Sequence, residues 1–225
     1  MKNIILQHWD GELSPLCKAS VDNICKYAKK VGSYYQLIRG KPFRPNLSPQ
    51  CQKLFMLDKE FDEYEFVVML DTDMFVRKGM TEDIFKVPGI GMHTSFQSGL
   101  FSFLGKKFPH LYDPKYPFWG GAIYKTDKEV RRRFRECYRE DEMQTFSDSS
   151  FVDEGIMHRL ATLAKFSEKS YLPGEFKWCH CSYREGIENA SFIHVRTKIT
   201  SKKGSPKRPK IENYKRLISA GLIEE

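Results

Sequence analysis

Two aspartates, Asp71 and Asp73, directly follow an uninterrupted apolar run from Phe66 to Leu70. Such a run is typical of a strand that is buried on both faces in the middle of a parallel sheet. Because the aspartates are two residues apart, their side chains point to the same side wherever the backbone stays extended. Two carboxylates held that close repel each other, and a divalent cation beside them removes the repulsion. The pattern predicts a metal site, with a strand-to-loop turn capped by Asp71 as the structural alternative.

Three further groups of residues could take part in chemistry. The paired glycines Gly120 and Gly121 enter an apolar stretch, and glycines in that position indicate that another group approaches the backbone closely. Asp153 and Glu154 lie in the first turn of a predicted helix, where the helix dipole alone would also favour acids. His194 ends a late predicted strand and is the one candidate imidazole ligand among these groups.

The cysteines and the apolar stretches exclude several classes of protein. Cys179 and Cys181 flank His180, but the chain has no second closely spaced pair, so the spacing is poor for a zinc site. The first residues do not resemble a secretory signal, so reduced thiols are expected. No apolar stretch approaches membrane-spanning length, which predicts a soluble, cytoplasmic protein.

Length and charge limit the architecture. A chain of 225 residues with 40% hydrophobic content can bury one substantial core, so a single domain is expected. Of the formal net charge of +8, seven positive charges fall within residues 196–210, which contain no acid, and the rest of the chain is nearly neutral. This basic segment could clamp a phosphate, bind a polyanion such as nucleic acid, or serve as a solvated linker.

The elements that must position these groups alternate between strand and helix over residues 1–92. This order predicts an α/β fold with a central, mostly parallel sheet. Ligands bind at the carboxyl ends of the strands in such sheets, so Gln7 to Asp10 would face a crevice. The predicted elements are strand Lys2–Gln7, helix Ser14–Lys30, strand Tyr34–Arg39, helix Gln50–Asp58 and strand Phe66–Leu70.

The second half of the chain shows fewer clear patterns. Thr126 and Glu129 form a capping box for a helix from Asp127 to Arg139, whose five arginines are expected mostly on its exposed face. A second capped helix, two late strands and a terminal helix are predicted at Ser149–Ala164, Phe176–Tyr183, Ser191–Val195 and Ile211–Glu225.

Taken together, these motifs resemble metal-dependent glycosyltransferases of the GT-A fold. Asp71-Thr72-Asp73 at the end of a buried strand matches the D-x-D motif of that family. The later features follow in the family's order: Trp119-Gly120-Gly121-Ala122, then Asp153-Glu154, then His194 with Lys198. The resemblance covers roughly residues 1–200 and is strongest to small single-domain members, including those encoded by large viruses of algae.

The resemblance implies one GT-A domain over residues 1–225. Its nucleotide-sugar-binding half would cover residues 1–95 and its acceptor half residues 96–200, followed by the basic segment and terminal helix at 196–225. The implied metal ligands are Asp71, Asp73 and His194, with Asp73 binding directly and Asp71 holding the ribose or the water shell of the metal. Mixed carboxylate and imidazole ligands favour Mn²⁺ over Mg²⁺.

The remaining implied roles concern the donor and the acceptor. Asp153 or Glu154 would face the acceptor hydroxyl, as general base if the enzyme inverts the anomeric centre, which is the favoured outcome, or as a hydrogen-bonding group if it retains. Lys198 would reach the diphosphate. The donor would also contact Gln7, His8, Trp9, Asp10, Lys53, Asp71, Thr72, Gly120 and Gly121.

The expected function is transfer of a hexose or deoxyhexose from a nucleotide sugar, a UDP-sugar, to a glycan or glycoprotein acceptor. The expected location is the cytoplasm, or the host cytoplasm for a viral protein, and further domains of a longer polypeptide stay open. One alternative is a metal-dependent nucleotidyltransferase, but Gln7 to Asp10 lack the glycine-rich, basic signature that such enzymes need. The other is a nucleic-acid-binding module that acts through residues 196–210.

Overall fold

The computed structural model describes residues 1–40, 49–90, 105–106, 108–113, 116, 122–139, 141, 152–166 and 175–224. The predicted donor contacts Gly120 and Gly121 lie outside the described residues. In chain order the elements are β1 (Asn3–Trp9), α1 (Pro15–Lys30), β2 (Tyr34–Arg39), two 3-10 helices (Pro49–Leu57 and Lys59–Phe61), β3 (Phe66–Leu70), β4 (Met74–Val76), β5 (Ile123–Asp127), α2 (Lys128–Cys137), α3 (Val152–Leu163), α4 (Glu175–Trp178), β6 (His180–Cys181), a 3-10 turn (Ile187–Asn189), β7 (Phe192–His194) and α5 (Lys210–Ser219).

The main sheet has the strand order β2-β1-β3-β5. Strands β1, β2 and β3 are parallel, and β5 is antiparallel to β3. The central strand β3 is buried from Val67 to Leu70, as its apolar run predicts. The predicted mostly parallel sheet is confirmed. Gln7 of β1 pairs with Leu70, the last residue of β3. Because the two strands are parallel, their carboxyl ends lie at the same edge of the sheet.

A second, three-stranded sheet has the order β4-β7-β6. Strand β4 is antiparallel to β7, and Met74 lies opposite His194. The amide of Val195 donates to the carbonyl oxygen of Asp73 at 3.0 Å. This register places the late histidine beside the two aspartates, although 120 residues separate them along the chain.

Helix α5 packs on the second sheet and closes a smaller apolar cluster. The rings of Phe75 and Tyr214 stack with their centroids 4.8 Å apart, and Leu217 is buried in the same cluster. Among the described residues, no helix combines the length and apolar character needed to cross a lipid bilayer.

The basic segment that precedes α5 folds back on itself as a hairpin. The amide of Ile199 donates to the Pro206 carbonyl at 3.3 Å, and the amide of Arg208 donates to the Thr197 carbonyl at 2.8 Å. Lys202 and Lys203 at the tip are exposed. The two ends of the hairpin therefore lie side by side, one continuing from β7 and the other entering α5.

Several predicted element boundaries in the second half are wrong, and the terminal helix ends at Ser219 rather than at Glu225. The N-cap of α2 is Asp127, whose Oδ1 accepts from the Val130 amide at 2.8 Å, and Thr126 lies within β5 instead. Residues 176–183 do not form one strand. Trp178 ends the short helix α4 and packs near Phe192, so that only two residues are left to pair as β6.

The arginines of α2 are less exposed than expected. Arg131 is completely buried and donates to the carbonyl oxygens of Thr126, Phe61 and Tyr64 at 3.0, 3.2 and 2.5 Å. A guanidinium can be buried in this way because its fixed fork of donors matches several carbonyls at once. Arg132 lies on the exposed face as expected, where it pairs with Glu129.

A buried lysine in β5 provides a test of the fold by pH. Lys125 is fully buried, and its Nζ donates to the carbonyl oxygens of Ile84 and Val87 at 2.8 and 2.6 Å. Burial lowers the pKa of Lys125 to about 8 from an ordinary value of 10.5. Between these values the unfolded chain holds a proton that the folded chain lacks, so the stability of the protein rises with pH.

We therefore expect the free energy of unfolding of the wild type to rise relative to that of Lys125→Met as pH increases. The gain should be about 2 kcal/mol between pH 8 and pH 10. Urea denaturation of both proteins at a series of pH values measures it, and titrations shared by both proteins cancel in the difference. A difference that does not change with pH would show that Lys125 keeps its ordinary pKa.

Candidate metal site and cleft

Three predicted metal ligands meet where the two sheets join. One ligand atom each of Asp71, Asp73 and His194 lie within 4.8 Å of one another. The His194 Nε2 is 3.2 Å from Asp73 Oδ1 and 4.0 Å from Asp71 Oδ2. Asp71 comes directly after β3, Asp73 directly before β4, and His194 ends β7, so each ligand is held at the end of a paired strand.

The turn that carries the aspartates is fixed from below by a buried glutamine. Gln7 Nε2 donates to the carbonyl oxygen of Asp71 and to Ser20 Oγ, both at 3.0 Å. Tyr35 donates its hydroxyl hydrogen to Gln7 Oε1 at 2.9 Å, and Ser20 Oγ donates to the carbonyl of Met74 at 2.7 Å. The structure thus places Gln7 behind the turn, where it supports the backbone of Asp71.

The donor set fits a divalent cation. Asp73 Oδ1 is buried and has no hydrogen-bond partner among the described residues, although His194 Nε2 lies near it. Two carboxylates and an imidazole are a ligand set that suits Mn²⁺ and related metals. The buried oxygen and the imidazole nitrogen are 3.2 Å apart, close enough for one cation to bind both.

The charges at this cluster depend on each other. Burial alone would raise the pKa of Asp73, but His194 and Lys210 hold it below its usual range. Burial would lower the pKa of His194, but the charge of Asp73 raises it well above its ordinary value. Asp73 is therefore ionised, and the site is already charge-paired by cations of the chain.

A buried lysine links the cluster of Asp71, Asp73 and His194 to the acid pair of α3. Lys53 Nζ lies 2.5 Å from Asp153 Oδ2 and 3.1 Å from Asp71 Oδ1. Burial opposes the charge of Lys53, but Asp153 and Asp71 raise its pKa above the ordinary value. Tyr124 adds a hydroxyl 3.3 Å from the same Asp153 oxygen. Lys53 thus bridges the carboxylates of Asp71 and Asp153.

The two acids of α3 differ in protonation. Burial would raise the pKa of Asp153, but Lys53 lowers it below its ordinary value. Burial raises the pKa of Glu154 well above its ordinary value, and the charge of Asp153 adds to the effect. Glu154 Oε2 is buried without a hydrogen-bond partner in the described part of the chain. The surroundings therefore favour the charged form of Asp153 and the neutral form of Glu154.

An open cleft of about 630 Å³ lies above the aspartates. Its wall on the β1 side includes His8, which stacks on Phe55 with ring centroids 5.5 Å apart, and Trp9, whose indole donates to the Glu12 carbonyl at 2.9 Å. The structure brings seven of the predicted site residues to this cleft: His8, Trp9, Asp10, Lys53, Asp71, Thr72 and Asp73.

The structure places a different lysine of the basic segment at the site. Lys198 is exposed, and its Nζ lies 5.8 Å from the ring centre of Tyr183 rather than at the cleft. Lys210 lines the cleft, and its Nζ contacts Asp73 Oδ2. Lys210 is not among the predicted site residues. It lies one residue before the predicted start of the terminal helix and is the first residue of α5 in the structure, so the predicted elements gave no signal for it.

The comparisons with known proteins give the fold. No protein-family model and no curated protein matches the sequence. Among solved structures, the chain is similar to a glycosyltransferase involved in the glycosylation of the major capsid of PBCV-1, with a TM-score of 0.57 and 11% identity over 97% of this chain and 100% of the other. It is also similar to the galactosyltransferase LgtC in complex with donor and acceptor sugar analogs, with a TM-score of 0.54 and 11% identity over 97% and 95%. The predicted GT-A fold is confirmed.

Proposed function

We propose that this chain is a metal-dependent glycosyltransferase. It would move a hexose or deoxyhexose from a UDP-sugar to a hydroxyl of a glycan or glycoprotein. The observation that carries the proposal is the cluster of Asp71, Asp73 and His194 at the floor of an open cleft, between the carboxyl ends of β1 and β3. The likeness to two glycosyltransferase structures, one of them with donor and acceptor sugar analogs, supports it.

The cluster suits the departure of a nucleoside diphosphate. A divalent metal held by Asp71, Asp73 and His194 would supply positive charge where the leaving oxygen becomes negative. We propose Mn²⁺ rather than Mg²⁺, because one ligand is an imidazole. The chain itself keeps Asp71 in place through Lys53 and through the Gln7 hydrogen bond to its carbonyl oxygen.

The cleft offers suitable contacts for the nucleotide. His8 and Trp9 provide aromatic faces on which a base could stack, and Asp10 and Thr72 provide hydrogen-bonding groups at the same cleft. Lys210 is the residue of the basic segment that lines the cleft. Its placement at the cleft supports a role for Lys210 in holding the phosphates. It does not favour a separate nucleic-acid-binding surface at this end of the segment.

Asp153 is the candidate group for the acceptor. We propose inversion, with Asp153 taking the proton of the acceptor hydroxyl as its oxygen bonds to the anomeric carbon and the diphosphate leaves. The pKa directions support this choice, because Lys53 favours the charged form of Asp153 whereas burial favours the neutral form of Glu154. In a retaining enzyme, Asp153 would instead accept a hydrogen bond from the sugar.

A thermal-shift screen tests the proposal. Nucleoside diphosphates and nucleotide sugars are added with Mn²⁺, with Mg²⁺ or with a chelator. We expect UDP or a UDP-sugar with Mn²⁺ to raise Tm by roughly 5 to 10 °C at about a hundredfold excess over Kd. Uridine monophosphate serves as the matched control, because it lacks the second phosphate. A panel without a single metal-dependent shift would contradict the proposed function.

A further inference from the structure

One cation of the chain already contacts a proposed metal ligand. Lys210 Nζ pairs with Asp73 Oδ2, while the other oxygen of Asp73 faces His194 at 3.2 Å. Both oxygens of this carboxylate therefore face positively charged or protonatable groups. The side chain of Asp73 is only 12% exposed, so little water competes for it.

The backbone of Lys210 is fixed relative to the cluster. The side chain of Asn213 donates to the Arg196 carbonyl at 2.7 Å, which ties the first turn of α5 to the residues just after β7. The stacking of Tyr214 on Phe75 ties the same turn to β4. Lys210 is thus held on a framework that also carries Asp73 and His194.

The stability of the helix does not account for a lysine at this position. Lys210 is the first residue of α5, where the partial positive charge of the helix end repels a cation. The carboxylate of Asp73 provides the compensating attraction. The position of Lys210 is therefore explained by its ion pair with Asp73 and not by its own helix.

We infer that Lys210 competes with the divalent metal for Asp73 and makes metal binding depend on the nucleotide. The inference rests on the proposed function, because it takes Asp71, Asp73 and His194 as the metal ligands. An ammonium and a dication that share one carboxylate repel each other strongly in a buried setting. The metal alone therefore binds only weakly while Lys210 holds Asp73.

A bound diphosphate removes this competition. The side chain of Lys210 is 39% exposed and lines the cleft, so it can turn from Asp73 toward an anionic ligand without movement of its backbone. The anion then pairs with the displaced ammonium, and the metal gains the carboxylate. By linkage, the metal and the diphosphate must each raise the affinity of the other by the same factor.

Titration calorimetry of MnCl₂ tests the inference. Four proteins are compared with and without saturating UDP: the wild type, Lys210→Met, Lys210→Gln and the control Lys207→Met. Lys207 is an exposed lysine of the same segment, so its substitution changes the net charge equally without touching Asp73. Circular dichroism checks that each variant is folded. If Lys210→Met does not fold, the comparison rests on Lys210→Gln alone.

Loss of the charge at Lys210 should tighten Mn²⁺ binding without UDP by about tenfold, and UDP should then improve the affinity less than in the wild type. Lys207→Met should behave like the wild type. Equal or weaker Mn²⁺ binding by both Lys210 variants would overturn the inference while leaving the metal site intact, and so would equal tightening in Lys207→Met. No Mn²⁺ binding by any of the proteins, with or without UDP, would overturn the proposed metal site and the inference with it.

Discussion

Asp73→Asn should lower the rate of sugar transfer by roughly 10²- to 10³-fold and abolish metal-dependent nucleotide binding. Asparagine keeps the shape of the side chain but removes the charge that faces His194 and Lys210. An amide oxygen is a weaker metal ligand than a carboxylate, so the charge on the leaving diphosphate would lose its stabilisation. Steady-state rates with the donor identified by thermal shift, together with calorimetry of Mn²⁺ and UDP, measure both effects.

A matched substitution separates this effect from a general change in charge. Asp22→Asn removes the same group from an exposed position of α1 outside the described cluster, and its activity should equal that of the wild type. Asp73→Asn should remain folded but lose some stability, because two cations lose their shared counter-charge. Full activity of Asp73→Asn would remove the basis of the proposed mechanism.

Lys53→Met should lower the free energy of unfolding by about 3 to 5 kcal/mol, the usual cost of breaking a buried ion pair from one side. The substitution leaves the buried Asp153 and the partly exposed Asp71 without the ammonium that lies 2.5 and 3.1 Å from them. Methionine has a similar length, so the loss reflects charge rather than a cavity. Urea denaturation at neutral pH measures it.

The double variant Lys53→Met/Asp153→Asn tests whether the ion pair is the cause. In the Lys53→Met background, Asp153→Asn removes a buried charge that has lost its cation. The double variant should therefore lose less free energy of unfolding than the sum of the losses in the two single variants. Lys59→Met, an exposed lysine in the next 3-10 helix, should change stability by less than about 0.5 kcal/mol. A loss of that small size in Lys53→Met would show that the bridge contributes little.

The sequence was most informative where local pattern and topology agree. The apolar run of β3 and the position of Asp71 and Asp73 at its carboxyl end follow from residue periodicity and from the rule that parallel strands end at one edge. The same rule predicts that the carboxyl end of β1 lies beside them, and His8 and Trp9, the last two residues of β1, do line the cleft. None of these inferences requires a contact between distant parts of the chain other than strand pairing.

Long-range contacts explain what the sequence did not reveal. The family resemblance points to Lys198, four residues after His194, as the lysine that reaches the diphosphate, but the hairpin brings Lys210 back to Asp73. Arg131 lies among other arginines and has no local sign of burial, because two of its acceptors, the carbonyls of Phe61 and Tyr64, come from another part of the fold. Such acceptors belong to the backbone and leave no trace in residue identity.

The hairpin between β7 and α5 also bears on how such a domain can diverge. Its base is held by the contact of Asn213 with the Arg196 carbonyl and by the pairing of Thr197 with Arg208, while Lys202 and Lys203 at the tip are exposed. Changes in length or sequence at the tip are thereby insulated from His194 and Lys210. The hairpin therefore allows this part of the domain to vary in length without disturbing the cluster of Asp71, Asp73 and His194 beneath it.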